Sequence, residues 1–90
     1  MAVSKSPNPS VQRVAAREIL AVNVITLRHE RGLSQEALAF AANLHRTFVA
    51  HVERGARNIS VDNIDRLAIA LGVTVERLFR PSNPSRAAGE

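Results

Sequence analysis

The stretch from Ser34 to Gly55, SQEALAFAANLHRTFVAHVERG, narrows the folds open to this chain more than any other segment. It reads as two short helices with a tight turn between them. Ser34 stands ahead of the first helix as an N-cap, where its hydroxyl can accept an orphan amide of the opening turn. Leu38, Ala39 and Ala42 then share one apolar face. Asn43 falls where the chain must turn, and asparagine enters the left-handed backbone region more readily than most residues. A second helix starts near His45 or Arg46 and ends at Gly55, a usual C-terminal stop.

Two helices joined by about four residues have the helix-turn-helix layout. At 100° per residue, Val52, His45 and Glu53 fall within about 60° of Val49 on the second helix. Arg46, Thr47, Ala50, His51 and Arg54 cluster on the other side. The inner face is mostly apolar. The outer face is basic and hydrogen-bonding, with small Ala50 near its middle. A helix lying in the major groove of DNA needs donors and acceptors for base edges, and no bulk to hold its backbone away. On an arbitrary helix such a face is simply solvated; the turn and the partner helix favour groove reading here.

Ninety residues make one domain. The composition divides it into a flexible arm over residues 1–12, a folded domain over 13–80 and a disordered tail over 81–90. A folded part of about 60–70 residues is small but able to fold alone. The aromatics are three Phe, with no Trp or Tyr, so the core must be aliphatic. The absence of cysteine removes disulfides and thiolate metal sites and fits a reducing compartment. Apolar runs are too short to cross a bilayer, and residues 1–10 lack a signal-peptide pattern, so the expected location is cytoplasmic. Twelve basic residues against eight acidic ones, a net charge of +4, favour a polyanionic partner only weakly.

Residues 11–31 carry a long helical pattern, with Leu20, Val24, Leu27 and Arg28 in one stripe and Gly32 as its stop. Arg28 is a charge on the core side. A buried guanidinium needs a carboxylate and further acceptors, and Glu53 at the inner edge of the second motif helix is the natural candidate. The pattern predicts an Arg28–Glu53 ion pair; the alternative is that both side chains reach solvent separately. Ile19, Val22 and Ile25 lie on the other side of this helix. The start of the same helix, the last helix or a second subunit would cover them.

Residues 56–59 form a loop in which Arg57 and Asn58 are placed to reach phosphates, Asn58 doubling as a turn residue. Ser60 caps another amphipathic segment, with Asp62 in its first turn, where a negative charge suits the helix dipole. Ile64, Leu67, Ala68 and Leu71 form its stripe, and Gly72 ends it. Thr74 caps a last short helix, Val75–Phe79, and Pro81 stops it. Leu78 and Phe79 either fold back onto the core or join a dimer seam. No strand signal and no internal repeat is present.

Chemistry-bearing constellations are missing. His45 and His51 are six positions apart, about 240° round a helix, and His29 lies on a different helix, so no shared metal site is expected. No serine lies in a nucleophile-elbow pattern, no glycine-rich loop precedes a helix, and no carboxylate pair is isolated on an apolar wall. The sequence therefore argues against an enzyme and against any cofactor.

LRHERGLSQEALA, ANLHRTFVAHVERG and IDRLAIALGVTVERLF occur in that order between Leu20 and Phe79. Together they resemble the Xre/Cro/C1 helix-turn-helix family of phage and bacterial regulators. Within it, LHRTFVAHVERGARNIS looks most like the controller proteins of restriction–modification systems. The resemblance implies an all-α, five-helix, lambda-repressor-like domain. It also implies that Gln35, with the helix-start amides beside Ser34, holds a phosphate, as helix N-termini attract anions. Arg46 and Thr47 match the first base-contacting positions, and His51 a groove-facing position one turn on. Phe48 matches a bulky position near the sugar–phosphate wall, and Arg57 and Asn58 match loop contacts to the backbone. Arg54 completes the basic outer face. The Arg28–Glu53 pair also belongs to the family pattern. Two departures stand out: His45 replaces a Ser or Thr and is expected to cap poorly, and Ile25 lies where polar residues are common.

The expected function is a sequence-specific transcriptional regulator that binds a two-fold DNA operator as a homodimer. A restriction–modification controller is the narrower form, with RNA polymerase as a further candidate partner and no membrane association. Arg46 would donate to guanine O6 and N7, and Thr47 would touch a thymine methyl or a phosphate. The alternative is a protein-interaction module on the same fold, an antitoxin or anti-regulator, using the Val22/Ile25 face.

Overall fold

A computed structural model describes residues 15–55 and 58–81. They form five α-helices: α1 Ala16–Glu30, α2 Gln35–Ala42, α3 Arg46–Glu53, α4 Val61–Leu71 and α5 Val75–Leu78. The all-α, five-helix expectation holds. The arm over 1–12, most of the tail and Arg57 lie outside the described residues.

Each helix boundary has a local cause. Ser34, Ser60 and Thr74 sit in extended backbone, and their hydroxyls accept the amides of Ala37, Asn63 and Arg77. Asn43 adopts the left-handed conformation, φ 58° and ψ 44°, and hands α2 over to the turn. Gly72 does the same at the end of α4, with φ 72°. Of the long pattern over 11–31, residues 11–14 lie outside the described residues. The helix starts at Ala16, because Ala15 is already extended at ψ 145° and offers no side-chain cap. At the other end of the chain Phe79 is the C-cap of α5 rather than its last helical residue.

The core is aliphatic, as a chain with only three aromatics requires. Leu20, Val24 and Leu27 from α1 meet Leu38, Ala39 and Ala42 from α2 and Val49 and Val52 from α3. Ile64, Leu67, Ala68 and Leu71 from α4 and Leu78 from α5 complete it, with Phe48 and Phe79 packed against its edge. Full burial of each Leu or Val contributes about 1.5–3 kcal/mol, and the most extensive packing is of α3 on α1 and α2 and of α2 on α4.

Two polar side chains tie the helices that packing alone holds least. Asn23, buried within α1, donates through Nδ2 to the carbonyls of Leu78 at 2.7 Å and Arg80 at 2.9 Å. It thereby satisfies carbonyls at the end of α5, which no helical amide reaches. Arg31, the C-cap of α1, donates through Nε to the carbonyl of Leu71 at 2.6 Å and so pins the end of α4. At the surface, Glu76 accepts from Arg80 at 2.7 Å, and that hydrogen bond holds the Glu76 carboxyl below its ordinary range.

The α1 face carrying Ile19, Val22 and Ile25 is covered in part by the chain itself. Ile19 and Ile25 are half-buried, and Val22 keeps 50% of its surface exposed. Leu78 is fully buried and Phe79 half-buried, so both fold back onto the core.

Candidate nucleic-acid interface

The α2–turn–α3 unit is held by one carboxylate. Arg28 of α1 donates to Glu53 of α3 through Nε to Oε2 at 2.6 Å and through Nη2 to Oε1 at 3.0 Å. Its third nitrogen, Nη1, donates to the carbonyl of Leu33 at 2.9 Å, in the link between α1 and α2. The pair is nearly dry: the two side chains retain 12% and 6% of their exposure. A bidentate guanidinium–carboxylate contact of this kind fixes orientation as well as distance. The expected ion pair is therefore present, and the option of two separately solvated side chains is excluded.

Glu53 has a third donor that the charge pattern alone did not reveal. Gln35, the first residue of α2, donates through Nε2 to Glu53 Oε1 at 2.8 Å. A single carboxylate thus joins α1, α2 and α3, and every buried side-chain nitrogen and oxygen among the described residues has a partner. With Val49 and Val52 fully buried beneath it, α3 cannot roll about its own axis without breaking this set.

The opposite side of α3 faces outward. Arg46, Thr47, His51 and Arg54 are all exposed, and Ala50 between them is half-buried and small. Phe48 is half-buried and leans on the core edge. Ser34 is exposed at the start of α2, Gln35 half-buried beside it. Asn58 is exposed with φ 58°, which fits its reading as a turn residue. Arg57 is outside the described residues.

His45 departs from the sequence reading in two ways. It is exposed, not part of the inner face, because it precedes α3 in extended backbone at ψ 144°, where helical spacing does not apply. It also caps the helix: its ring Nδ1 accepts the Thr47 amide at 3.2 Å, and the Thr47 hydroxyl meets the same nitrogen. A residue type that caps poorly on average does so here because the imidazole reaches the second helical amide.

Sequence reasoning also passed over Asn23 and Phe40. Asn23 occupies the i+3 position of the stripe that begins at Leu20, and a polar residue there was the available signal. Phe40 projects from α2 with 88% of its surface exposed. It lines a shallow groove with Glu36, Leu44, His45 and Arg46, which makes it an aromatic wall next to the first residue of α3.

An α-helix locked by its inner face, with cationic and hydrogen-bonding side chains around a small residue on its outer face, defines a helix-turn-helix domain. A family model described as helix-turn-helix matches residues 24–78, and the chain belongs to this family, of Xre/Cro type and related to restriction–modification controller proteins. The family is one of DNA-binding regulators and not of enzymes. The chain is 56% identical over 47 residues to the control protein C.BamHI of Bacillus amyloliquefaciens, a match that takes in 52% of this chain and only 58% of that protein. It is 40% identical over 73 residues to the control protein C.SmaI of Serratia marcescens, covering 81% of this chain and 87% of the relative. Its backbone is similar to the crystal structure of the restriction–modification controller protein C.AhdI from Aeromonas hydrophila. That similarity has a TM-score of 0.67 and 44% identity over 70% of this chain and 96% of the other. No helix among the described residues is long and apolar enough to cross a membrane.

Proposed function

We propose that the chain is a sequence-specific DNA-binding regulator that occupies a two-fold operator as a homodimer, in the manner of a restriction–modification controller. The observation that carries this reading is the contrast between the two sides of α3. Its inner side is fixed by Val49, Val52 and the Arg28–Glu53–Gln35 set, while Arg46, Thr47, His51 and Arg54 stand exposed on the other. A rigid helix with donors on its free side suits the major groove, whose base edges display an unambiguous pattern of acceptors and donors. Arg46 is assigned to a guanine, through O6 and N7. Ser34, Gln35 and the first amides of α2 are assigned to a backbone phosphate, which the partial positive charge at a helix N-terminus favours. Phe48, Arg54, Arg57 and Asn58 are assigned to the flanking sugar–phosphate wall. In a dimer, two copies of α3 enter successive major grooves about 34 Å apart.

The first experiment is an electrophoretic shift series with duplex DNA at two salt concentrations. Binding that weakens steeply between about 50 and 200 mM salt supports phosphate neutralisation. No binding at the lower salt rejects the proposal. The exposed Val22, at 50%, favours a second reading, in which the domain binds a partner protein as an antitoxin or anti-regulator. That reading predicts no duplex binding at low salt, so the same series separates the two.

A further inference from the structure

We infer that Gln35 positions the reading helix: its bond to Glu53 closes the open end of the α2–turn–α3 unit, and base discrimination by Arg46 depends on that closure. The inference rests on the DNA-reading proposal and gives Gln35, a residue of α2, a role that a phosphate contact alone does not include.

The two motif helices are joined by the chain at one end only. It passes from Ala42, the last residue of α2, through Asn43 to Arg46, the first residue of α3. At the opposite ends stand Gln35, the first residue of α2, and Glu53, the last of α3. Gln35 Nε2 donates to Glu53 Oε1 at 2.8 Å. The angle between α2 and α3 is therefore held at both ends, by the turn and by this hydrogen bond.

Residue type fixes which partner donates. Beside the Arg28 guanidinium the Glu53 carboxylate only accepts, so Gln35 must turn its nitrogen, not its oxygen, toward it. Oε1 has lone pairs for two donors, Arg28 Nη2 at 3.0 Å and Gln35 Nε2. Arg28 also holds Oε2 at 2.6 Å, which ties the same carboxylate to α1. The Glu53 side chain keeps only 6% of its exposure, so water competes little for its oxygens. The Gln35 nitrogen has a second hydrogen, which leaves the proposed phosphate contact intact.

In the proposed complex α2 rests on the DNA backbone and α3 lies in the groove. A change in the angle between them moves Arg46 across the base edges. A guanidinium that must meet guanine O6 and N7 together tolerates little tilt, because two parallel hydrogen bonds demand one orientation. Loss of the Gln35–Glu53 bond therefore lowers discrimination as well as affinity. A residue that only contacts a phosphate weakens binding nearly uniformly across sequences. The two roles differ in a ratio that can be measured.

The test compares binding of the full chain to its selected duplex and to one in which the guanine located by Arg46→Ala is replaced. Gln35→Met, close in length and without a donor, is expected to lower the ratio of the two affinities by about three- to tenfold, the equivalent of one hydrogen bond. Gln35→Lys, which restores an N–H donor within reach of Glu53, is expected to retain the wild-type ratio. Asn23→Ala, which removes a hydrogen-bond donor to the carbonyls at the end of α5, is also expected to retain it. A lower folded fraction cancels in the ratio. A Gln35→Met protein that loses the same factor on both duplexes, a lost ratio in Gln35→Lys, or an equal loss in Asn23→Ala overturns the inference while DNA reading stands. A wild-type protein that binds every duplex equally removes base reading and this inference together.

Discussion

Arg46 is exposed at the first position of α3 and carries the assignment that chemistry can probe most selectively. Arg46→Ala should weaken binding to a selected site by about 1–3 kcal/mol and relax preference at one base pair per half-site. Replacing that guanine with 7-deazaguanine should produce a loss in the wild type and little further loss in the variant, as titration of both proteins against both duplexes would show. Beneath it, Glu53 holds three helices together. Glu53→Ala leaves Arg28 buried at 12% exposure without its counter-charge and should lower unfolding free energy by about 3–5 kcal/mol, read from urea denaturation. The double variant Arg28→Met, Glu53→Leu should recover much of that loss; a single variant as stable as wild type contradicts the account. The sequence exposed this pair because a charge on an apolar stripe demands a partner. It did not expose the third member. Gln35 looks like any polar residue at a helix start, and only the approach of α2 to α3 brings its amide within 2.8 Å of Glu53. His45 departs from its expected role for a related reason. Average capping tendencies say nothing about where one ring nitrogen lies, and here it lies 3.2 Å from an amide.

The turn between α2 and α3 depends on Asn43 tolerating φ 58°. Asn43→Gly should fold with stability close to wild type, because glycine adopts this conformation freely. Asn43→Val should lose about 1–2 kcal/mol or more, since a β-branched side chain in the left-handed region meets its own backbone. Thermal unfolding of the two variants checks both. The small helix α5 is the element most dependent on a single side chain. Asn23→Ala strips the carbonyls of Leu78 and Arg80 of their donor and should cost about 1–3 kcal/mol, with faster amide exchange in α5 than in α2 or α4. Element order, caps and stripes could be read from spacing because each is local: Ser34, Ser60, Thr74, Asn43 and Gly72 act within a few residues of their own position. The start of α1 could not. Apolar spacing extends upstream of Ala16, but the backbone at Ala15 is extended and periodicity carries no information on that switch.

For the molecule entire, net charge alone is a poor guide: a +4 chain of this size is not strongly basic. What matters is that Arg46, His51 and Arg54 are gathered on the free side of one helix while Arg28 is neutralised inside. The groove-reading surface was visible in the sequence for that reason, as the polar half of a helix whose other half is plainly core. The surface of a second copy was not, since the exposed apolar residues are scattered, Val22 on α1 and Val61 and Ile69 at separate turns of α4, and no spacing rule ranks them. Selection of bound duplexes from random DNA addresses surface and symmetry together. The account predicts enrichment of a two-fold sequence whose half-sites are separated by about one helical turn, 34 Å centre to centre, with a guanine in each that Arg46→Ala no longer requires. Recovery of unenriched DNA at low salt, or of a sequence whose selection is indifferent to Arg46, would contradict it.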